Sequence, residues 1–366
     1  MEGEAQQQEN DDEFLFARKL LKWNLPDAAL VQFKKISPDY ELVHLSSIDS
    51  SEYFEGIPYV TKLNNVSIIG DRWFVLDENR LLYKETSCLT PFDSILTNWN
   101  VTRDKKHAVI AKRNIDRTIE YPCLLLGGDQ NYFHWLLRYL SRLALIESLP
   151  SLNVLPMLIN KDLTRYQQDS LEMLGIQEDQ LIKIAPEELV KCRELYIPTS
   201  PRVYMEPFKS GCHWLQCKFA KYFSAKNKKG KLLYVSREDA PRRYIRNESE
   251  VWNLMQNYGF EKVLPGTLSF KEQIETFSQA AIVVGAHGAG LTNIVFSPPK
   301  TKVLELTDTL TLKYNDYELI SEAVSLDYSS LVSKKVFVYP KTAFPSNCHD
   351  FTVEINQLEA LISNFV

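Results

Sequence analysis

Two stretches of this 366-residue chain carry side chains whose types and spacing suit the binding of an anion. The first, Ala281 to Leu306, reads AIVVGAHGAGLTNIVFSPPKTKVLEL. An apolar run, Ala281 to Val284, is followed by Gly285, Gly288 and Gly290, with His287 between them. Leu291 to Phe296 has the look of a short helix stopped by Pro298-Pro299, and Val303 to Leu306 of a second buried strand. In a strand–turn–helix of this kind, glycines let a ligand approach the backbone. The helix start adds unpaired N–H donors and partial positive charge. The glycine spacing matches neither the dinucleotide fingerprint nor GxxxxGK[ST]. His287, Gly288, Ala289 and Gly290 are the candidates here, and the imidazole suits a phosphate or a sugar hydroxyl better than a core.

The second stretch ends the apolar run Lys231 to Val235. Ser236 and Arg237 stand where a strand of a parallel sheet would present them to a ligand, and Arg242 and Arg243 follow in the next loop. A guanidinium there can hold a diphosphate in bidentate fashion. A third set lies earlier. Asn131 opens a helical pattern that carries His134, Arg138 and Arg142, four residues apart, on one expected polar stripe just after Asp129. No two aspartates stand two residues apart, so an Asp-x-Asp cation site is missing. Cys212-His213 and Cys217 lack a second ligand pair, and no metal is expected.

Three blocks resemble glycosyltransferase family 61. GAHGAGLTN, followed by an apolar strand bearing Glu305, resembles the family's C-terminal signature. Tyr234-Val235-Ser236-Arg237 with Ala240, Arg242, Ile245, Asn247 and Glu248 resembles its central block. Asn131-Tyr132-Phe133-His134-Trp135-Leu136 with Arg142-Leu143 resembles its N-terminal block. The resemblance implies a GT-B arrangement and an inverting transfer from a nucleotide-diphosphate sugar. It places Ser236, Arg237, Arg242, His287, Gly288, Ala289 and Gly290 at the donor. Glu305 would accept hydrogen bonds from the ribose hydroxyls, and Asn131, Arg138 and Arg142 would lie on the acceptor side. At the position of Arg138, bacterial members usually carry aspartate, a natural general base. Arginine cannot take that role at neutral pH. The proton then goes to His134 or to a carboxylate such as Asp129 or Glu206, or the site no longer transfers sugar.

The elements that must position these residues follow the pattern of an α/β protein. After a polar, acidic start, Glu13 to Ile36 reads as a helical hairpin extension, and Glu41 to Thr118 as short strands. Alternating strands and helices follow, with strands at Cys123–Leu126, Val154–Ile159, Leu181–Ile184 and Leu195–Ile197 and helices at Asn131–Leu149 and Leu163–Leu174. A lysine-rich run, Lys226 to Lys229, separates them from a second βαβ series, with capping boxes at Asn247–Glu250 and Ser269–Glu272. The expected organisation is residues 1–40 as tail and hairpin, 41–225 as an acceptor-side Rossmann-like domain with a β-rich start, and 226–366 as the donor-binding Rossmann-like domain. The two domains are expected to face across a cleft.

Composition is that of an ordinary globular protein, 45% hydrophobic and 24% charged, with a formal charge of −5 that argues against nucleic-acid binding. No apolar run approaches the roughly 20 residues of a membrane span. A cytoplasmic protein with reduced cysteines and at most peripheral membrane contact is expected. The expected activity is metal-independent, cofactor-free transfer from a nucleotide sugar, UDP-linked in preference, to a glycan, glycolipid or protein hydroxyl. The rival readings are a catalytically degenerate nucleotide-sugar- or glycan-binding protein and a nicotinamide oxidoreductase. The latter lacks G-x-G-x-x-G.

Overall fold

The computed structural model describes residues 40–46, 60–70, 73–77, 80–82, 102–103, 107–111, 114–198, 205–224, 230–240, 243–338 and 349–366. The helical hairpin expected over Glu13–Ile36, the lysine run, Arg242 and the Glu206 side chain lie outside the described residues. The chain divides into two units, and the architecture is mixed α/β. The first unit comprises residues 1–129, 138–163 and 177–207, the second 130–137, 164–176 and 208–366.

In the first unit, the strands are β1 (Tyr40–Ser46), β2 (Val60–Ile69), β3 (Phe74–Asp77), β4 (Arg80–Leu82), β5 (Thr102–Arg103), β6 (His107–Ala111), β7 (Arg117–Ile119), β8 (Cys123–Gly127), β9 (Met157–Asn160), β10 (Leu181–Ile184) and β11 (Leu189–Pro198). They form one sheet in the order β10-β9-β8-β11-β2-β3-β4-β1-β6-β5, with β7 pairing on β11. The sequence pattern separates a β-rich start from a parallel βαβ series. The structure joins them, because β11 runs parallel to β8 on one side and antiparallel to β2 on the other. The expected short strand at Leu195–Ile197 is the end of that longer strand.

Gly127 ends β8 at φ +82, and a Cβ there would lie 2.7 Å from the Tyr139 ring, so only glycine fits. The next carbonyl, of Gly128, accepts the buried Trp73 indole N–H at 2.8 Å. The Gly127-Gly128 turn is therefore closed by packing.

In the second unit, β12 (Lys231–Val235), β13 (Glu261–Val263), β14 (Ala280–Ala286), β15 (Lys302–Asp308) and β16 (Asp327–Ser333) form a wholly parallel sheet in the order β13-β12-β14-β15-β16. This is the doubly wound order in which the chain reverses direction of growth after its second strand. Both faces are buried, which is why the strands read as continuous apolar runs. Tyr234, Ile282, Val284, Ala286, Leu304 and Leu306 pack against the helices Glu248–Asn257 and Ile355–Ser363. On the other face lie Val283 and Val303, fully buried, and the ring cluster of Phe219, Phe270 and Phe296. A hairpin of β17 (Val336–Val338) and β18 (His349–Phe351) completes the unit.

Local signals differ in how they are used. Ser269 and Glu272 form the expected reciprocal cap. Asn247 does not cap its helix. Its amide instead exchanges two hydrogen bonds of 2.9 Å with the Val353 backbone, tying the helix to the C-terminal segment. The Asn131–Leu149 helix is capped by Asn131, but a π-turn over Trp135–Tyr139 and a 3-10 turn over Leu140–Arg142 interrupt it. Turns of unequal width break the four-residue stacking of His134, Arg138 and Arg142. Arg138 and Arg142 are buried, which corrects the expectation of a single polar stripe.

Candidate functional site

The strand order puts its switch point between β12 and β14, and in such sheets ligands bind beyond the carboxyl ends of the strands at that place. Ser236-Arg237 leaves β12 there, and His287-Gly288 leaves β14. The two loops meet. The Arg237 guanidinium lies so close to Gly288 that a Cβ added at 288 would stand 1.4 Å from its Nη1. Gly288 is extended, at φ 169, so its need for glycine is one of space alone. Gly285 and Gly290 serve packing: a Cβ at 285 would be 2.8 Å from Val235 Cβ, and one at 290 would be 3.0 Å from Pro265. The helix that follows is a 3-10 helix, Ala289–Phe296, beginning two residues earlier than its apolar pattern suggests. Ala289 and Gly290 are partly exposed at its start.

Glu248 holds the Arg237 loop. Its Oε1 accepts from the Tyr234 hydroxyl at 3.0 Å, the Ser236 hydroxyl at 2.6 Å and the Arg237 amide at 3.4 Å. The structure thus turns Ser236 to Glu248. Burial, followed by the Glu248 charge and hydrogen bond, pushes the Tyr234 phenol well up. Arg237 itself is buried and donates through Nε to the Arg243 carbonyl at 3.2 Å.

On the other side of the crevice, His287 Nδ1 lies 2.6 Å from Glu305 Oε1, and the Tyr328 hydroxyl donates to Oε2 at 2.6 Å. Both His287 and Glu305 are buried. Burial, then the Glu305 charge, pushes the Tyr328 phenol up, so the hydroxyl stays a donor. A carboxylate only accepts, which fixes the His287 proton on Nδ1. Nε2 has no hydrogen-bond partner among the described residues. The Tyr317 ring packs edge-on to the imidazole at 4.9 Å, and its hydroxyl donates to the Gly288 carbonyl. Burial pushes the Tyr317 phenol up, as do Asp316 and Glu305, while Arg243 and Arg237 pull it down. Two guanidinium groups and two carboxylates therefore act on one phenol.

A further contact ties the N-terminal block to this unit. Buried Asn293 donates to Gln273 Oε1 at 2.8 Å and to the Gly290 carbonyl at 3.1 Å, and accepts from the Tyr132 hydroxyl at 2.6 Å. Glu248, Asn293, Tyr317 and Tyr328 all support the crevice, and none was singled out for a role by sequence reasoning. Asn293 and Glu248 were within the motifs. Tyr317 could have been found from Asn315-Asp316-Tyr317-Glu318, an acidic helix start followed by apolar Ile320 and Val324.

Of the remaining candidates, Asp129, Asn131 and His134 are partly exposed. Arg142 caps the end of β8, donating to the carbonyls of Leu126 at 3.1 Å and Leu125 at 3.4 Å, with its guanidinium over the Tyr139 ring. Cys123, Cys192, Cys212 and Cys217 are free thiols. Burial pushes the Cys212 thiol up, whereas Cys217 is exposed, so the two do not form a ligand pair. Among the described residues, no three His, Cys, Asp or Glu side chains gather as a metal site requires.

Residues 132–304, which contain the crevice residues described above except Glu305, Tyr317 and Tyr328, match the family model described as Glycosyltransferase 61. Over that stretch the chain is similar to family 61 glycosyltransferases. It is 30% identical over 151 residues to a protein named Beta-1,2-xylosyltransferase RCN11 from Oryza sativa subsp. japonica, a match covering 37% of this chain and 26% of that protein. It is 34% identical over 64 residues to a Beta-1,2-xylosyltransferase from Arabidopsis thaliana, covering 18% of this chain and 12% of the other. The matches thus span about a quarter or less of these relatives. The matched region spans the N-terminal block and most of the doubly wound sheet, which the Tyr132–Asn293 bond ties together.

Proposed function

We propose that this chain is a glycosyltransferase that holds a nucleotide-diphosphate sugar at the β12–β14 crevice and passes the sugar to a hydroxyl of a glycan, glycolipid or protein. The observation that carries the reading is the Arg237 guanidinium laid against Gly288 at the switch point of a parallel sheet. A departing diphosphate needs positive charge and N–H donors where its own charge grows. Arg237 supplies a fork of donors. The start of the 289–296 helix supplies backbone N–H groups, and His287, held by Glu305, supplies an imidazole. These groups support transfer without a cation; an inverting course is proposed from the family resemblance alone.

The names of the plant relatives favour a pentosyl group, and a UDP-linked donor belongs to the same proposal. The GT-B arrangement, with residues 41–225 and 226–366 as its two domains, belongs to the same proposal, as does a cytoplasmic site of action. The acceptor proton goes to His134 or Asp129, the partly exposed groups of the N-terminal block. Glu305 is better read as the carboxylate that orients His287 than as a ribose ligand, because both of its oxygens already have partners.

The test is turnover of a panel of UDP-, GDP- and CMP-sugars, UDP-pentoses included, with and without a chelator. Transfer or slow donor hydrolysis that persists in chelator and is lost in Arg237→Ala supports the reading. Wild-type rates in Arg237→Ala overturn it. Tight UDP binding with neither transfer nor hydrolysis favours the degenerate, binding-only alternative.

A further inference from the structure

Arg243 lies outside the residues that the family resemblance places at the donor, yet three observations mark it. Its backbone is left-handed, at φ 60, a conformation that costs a bulky residue about 1 kcal/mol or more and is kept where surrounding structure imposes it. That conformation aims its carbonyl at Arg237, whose Nε donates to it at 3.2 Å. Its own Nε is buried and has no hydrogen-bond partner. No carboxylate among the described residues forms an ion pair with it, although its own carbonyl lies against a second guanidinium. Two arginines whose backbone and side chain meet, one with a buried donor unanswered, describe a site that an anion would complete.

We propose that Arg243 is the second prong of a two-arginine clamp on the donor diphosphate, with Arg237 against Gly288 as the first. The inference rests on the proposed function. It assigns the role to Arg243 itself, separate from its carbonyl's hold on Arg237. The Tyr317 phenol agrees with this placement, since both arginine charges act on it.

The left-handed backbone makes a clean test possible. Arg243→Gly removes the guanidinium, keeps the carbonyl and suits positive φ better than the native residue. Affinity for UDP and for inorganic pyrophosphate, by calorimetry, is expected to fall on the order of 10- to 100-fold. Thermal stability should stay at or above wild type. Arg243→Lys should recover part of the affinity through its charge, without the bidentate fork. Wild-type affinity in a folded Arg243→Gly variant overturns this assignment and leaves the proposed function standing, provided Arg237→Ala still loses binding. Should the glycine variant unfold, Arg243→Asn, which tolerates left-handed backbone, gives the same reading. Failure of the wild-type chain to bind either probe overturns both.

Discussion

The Arg237 guanidinium occupies the volume that a side chain at position 288 would fill: a Cβ there would lie 1.4 Å from Nη1 and 2.5 Å from the guanidinium carbon. The obstructed group is the far end of a flexible side chain, and position 288 is extended at φ 169. Gly288→Ala should therefore fold and yet expel the guanidinium. Its UDP affinity and donor turnover should fall with those of Arg237→Ala, on the order of 100-fold, with a near-native melting temperature. A Gly288→Ala protein that binds UDP like wild type would mean that the arginine has room to spare.

Glu248 predicts a separable effect. One oxygen accepts from Tyr234, Ser236 and the Arg237 amide. Glu248→Ala leaves buried donors unanswered and should cost about 2–4 kcal/mol of unfolding free energy. Glu248→Gln keeps an acceptor oxygen and should cost markedly less. Denaturant titration of the two variants checks the order, and equal losses would deny the hydrogen-bonding role.

The second unit was largely legible in the sequence and the first was not, for a physical reason. A parallel sheet covered on both faces must be written as apolar runs separated by capped helices, and Lys231–Val235, Ala280–Ala286 and Lys302–Asp308 are written that way. The joining of β11 to β2 is not, because a strand pairing across more than a hundred residues leaves no local pattern. The approach of Arg237 to Gly288 was readable as two loops at carboxyl ends of strands. What escaped was the support around them. Tyr328 lies in a strand whose burial is only intermediate along most of its length, so it lacks the apolar run that marks its neighbours. Arg142 was read as a site residue from its spacing. The π-turn that buries it has no sequence signal of its own.

Glu305 distinguishes two ways of using a carboxylate at a strand end. If it orients His287, Glu305→Gln should weaken binding of pyrophosphate and UDP alike, by roughly 10-fold, and Tyr328→Phe should do so more mildly. A ribose contact would instead spare pyrophosphate, which has no ribose, and weaken UDP alone. Calorimetry with the two ligands separates the readings.

Asp308 carries a pH dependence. Burial pushes its carboxyl up, but the Thr311 hydroxyl, His349 and the Leu310 amide more than reverse this, and the group sits below its ordinary 3.8. Thr311 donates to it at 2.7 Å, and His349 Nε2 stands 2.9 Å away. A lowered carboxyl stabilises the fold above its unfolded value and loses that contribution as pH falls through the folded one. Asp308→Asn should thus be less stable than wild type at pH 7, and the gap should close below about pH 4. Melting curves from pH 7 to acid follow it; a gap unchanged at every pH would show that the carboxylate charge contributes nothing.

Asn293 joins the N-terminal block to the C-terminal signature, since Tyr132, Gln273 and the Gly290 carbonyl all meet its side chain. Tyr132→Phe removes one buried bond and should cost about 1–2 kcal/mol, whereas Asn293→Ala takes the partner from the Tyr132 hydroxyl and from Gln273 Oε1 and should cost about 2–4 kcal/mol. Because all three bonds run through Asn293, adding Tyr132→Phe to Asn293→Ala should cost little more or recover some stability. A double variant whose loss equals the sum of the single losses would mean that the N-terminal block does not depend on Asn293.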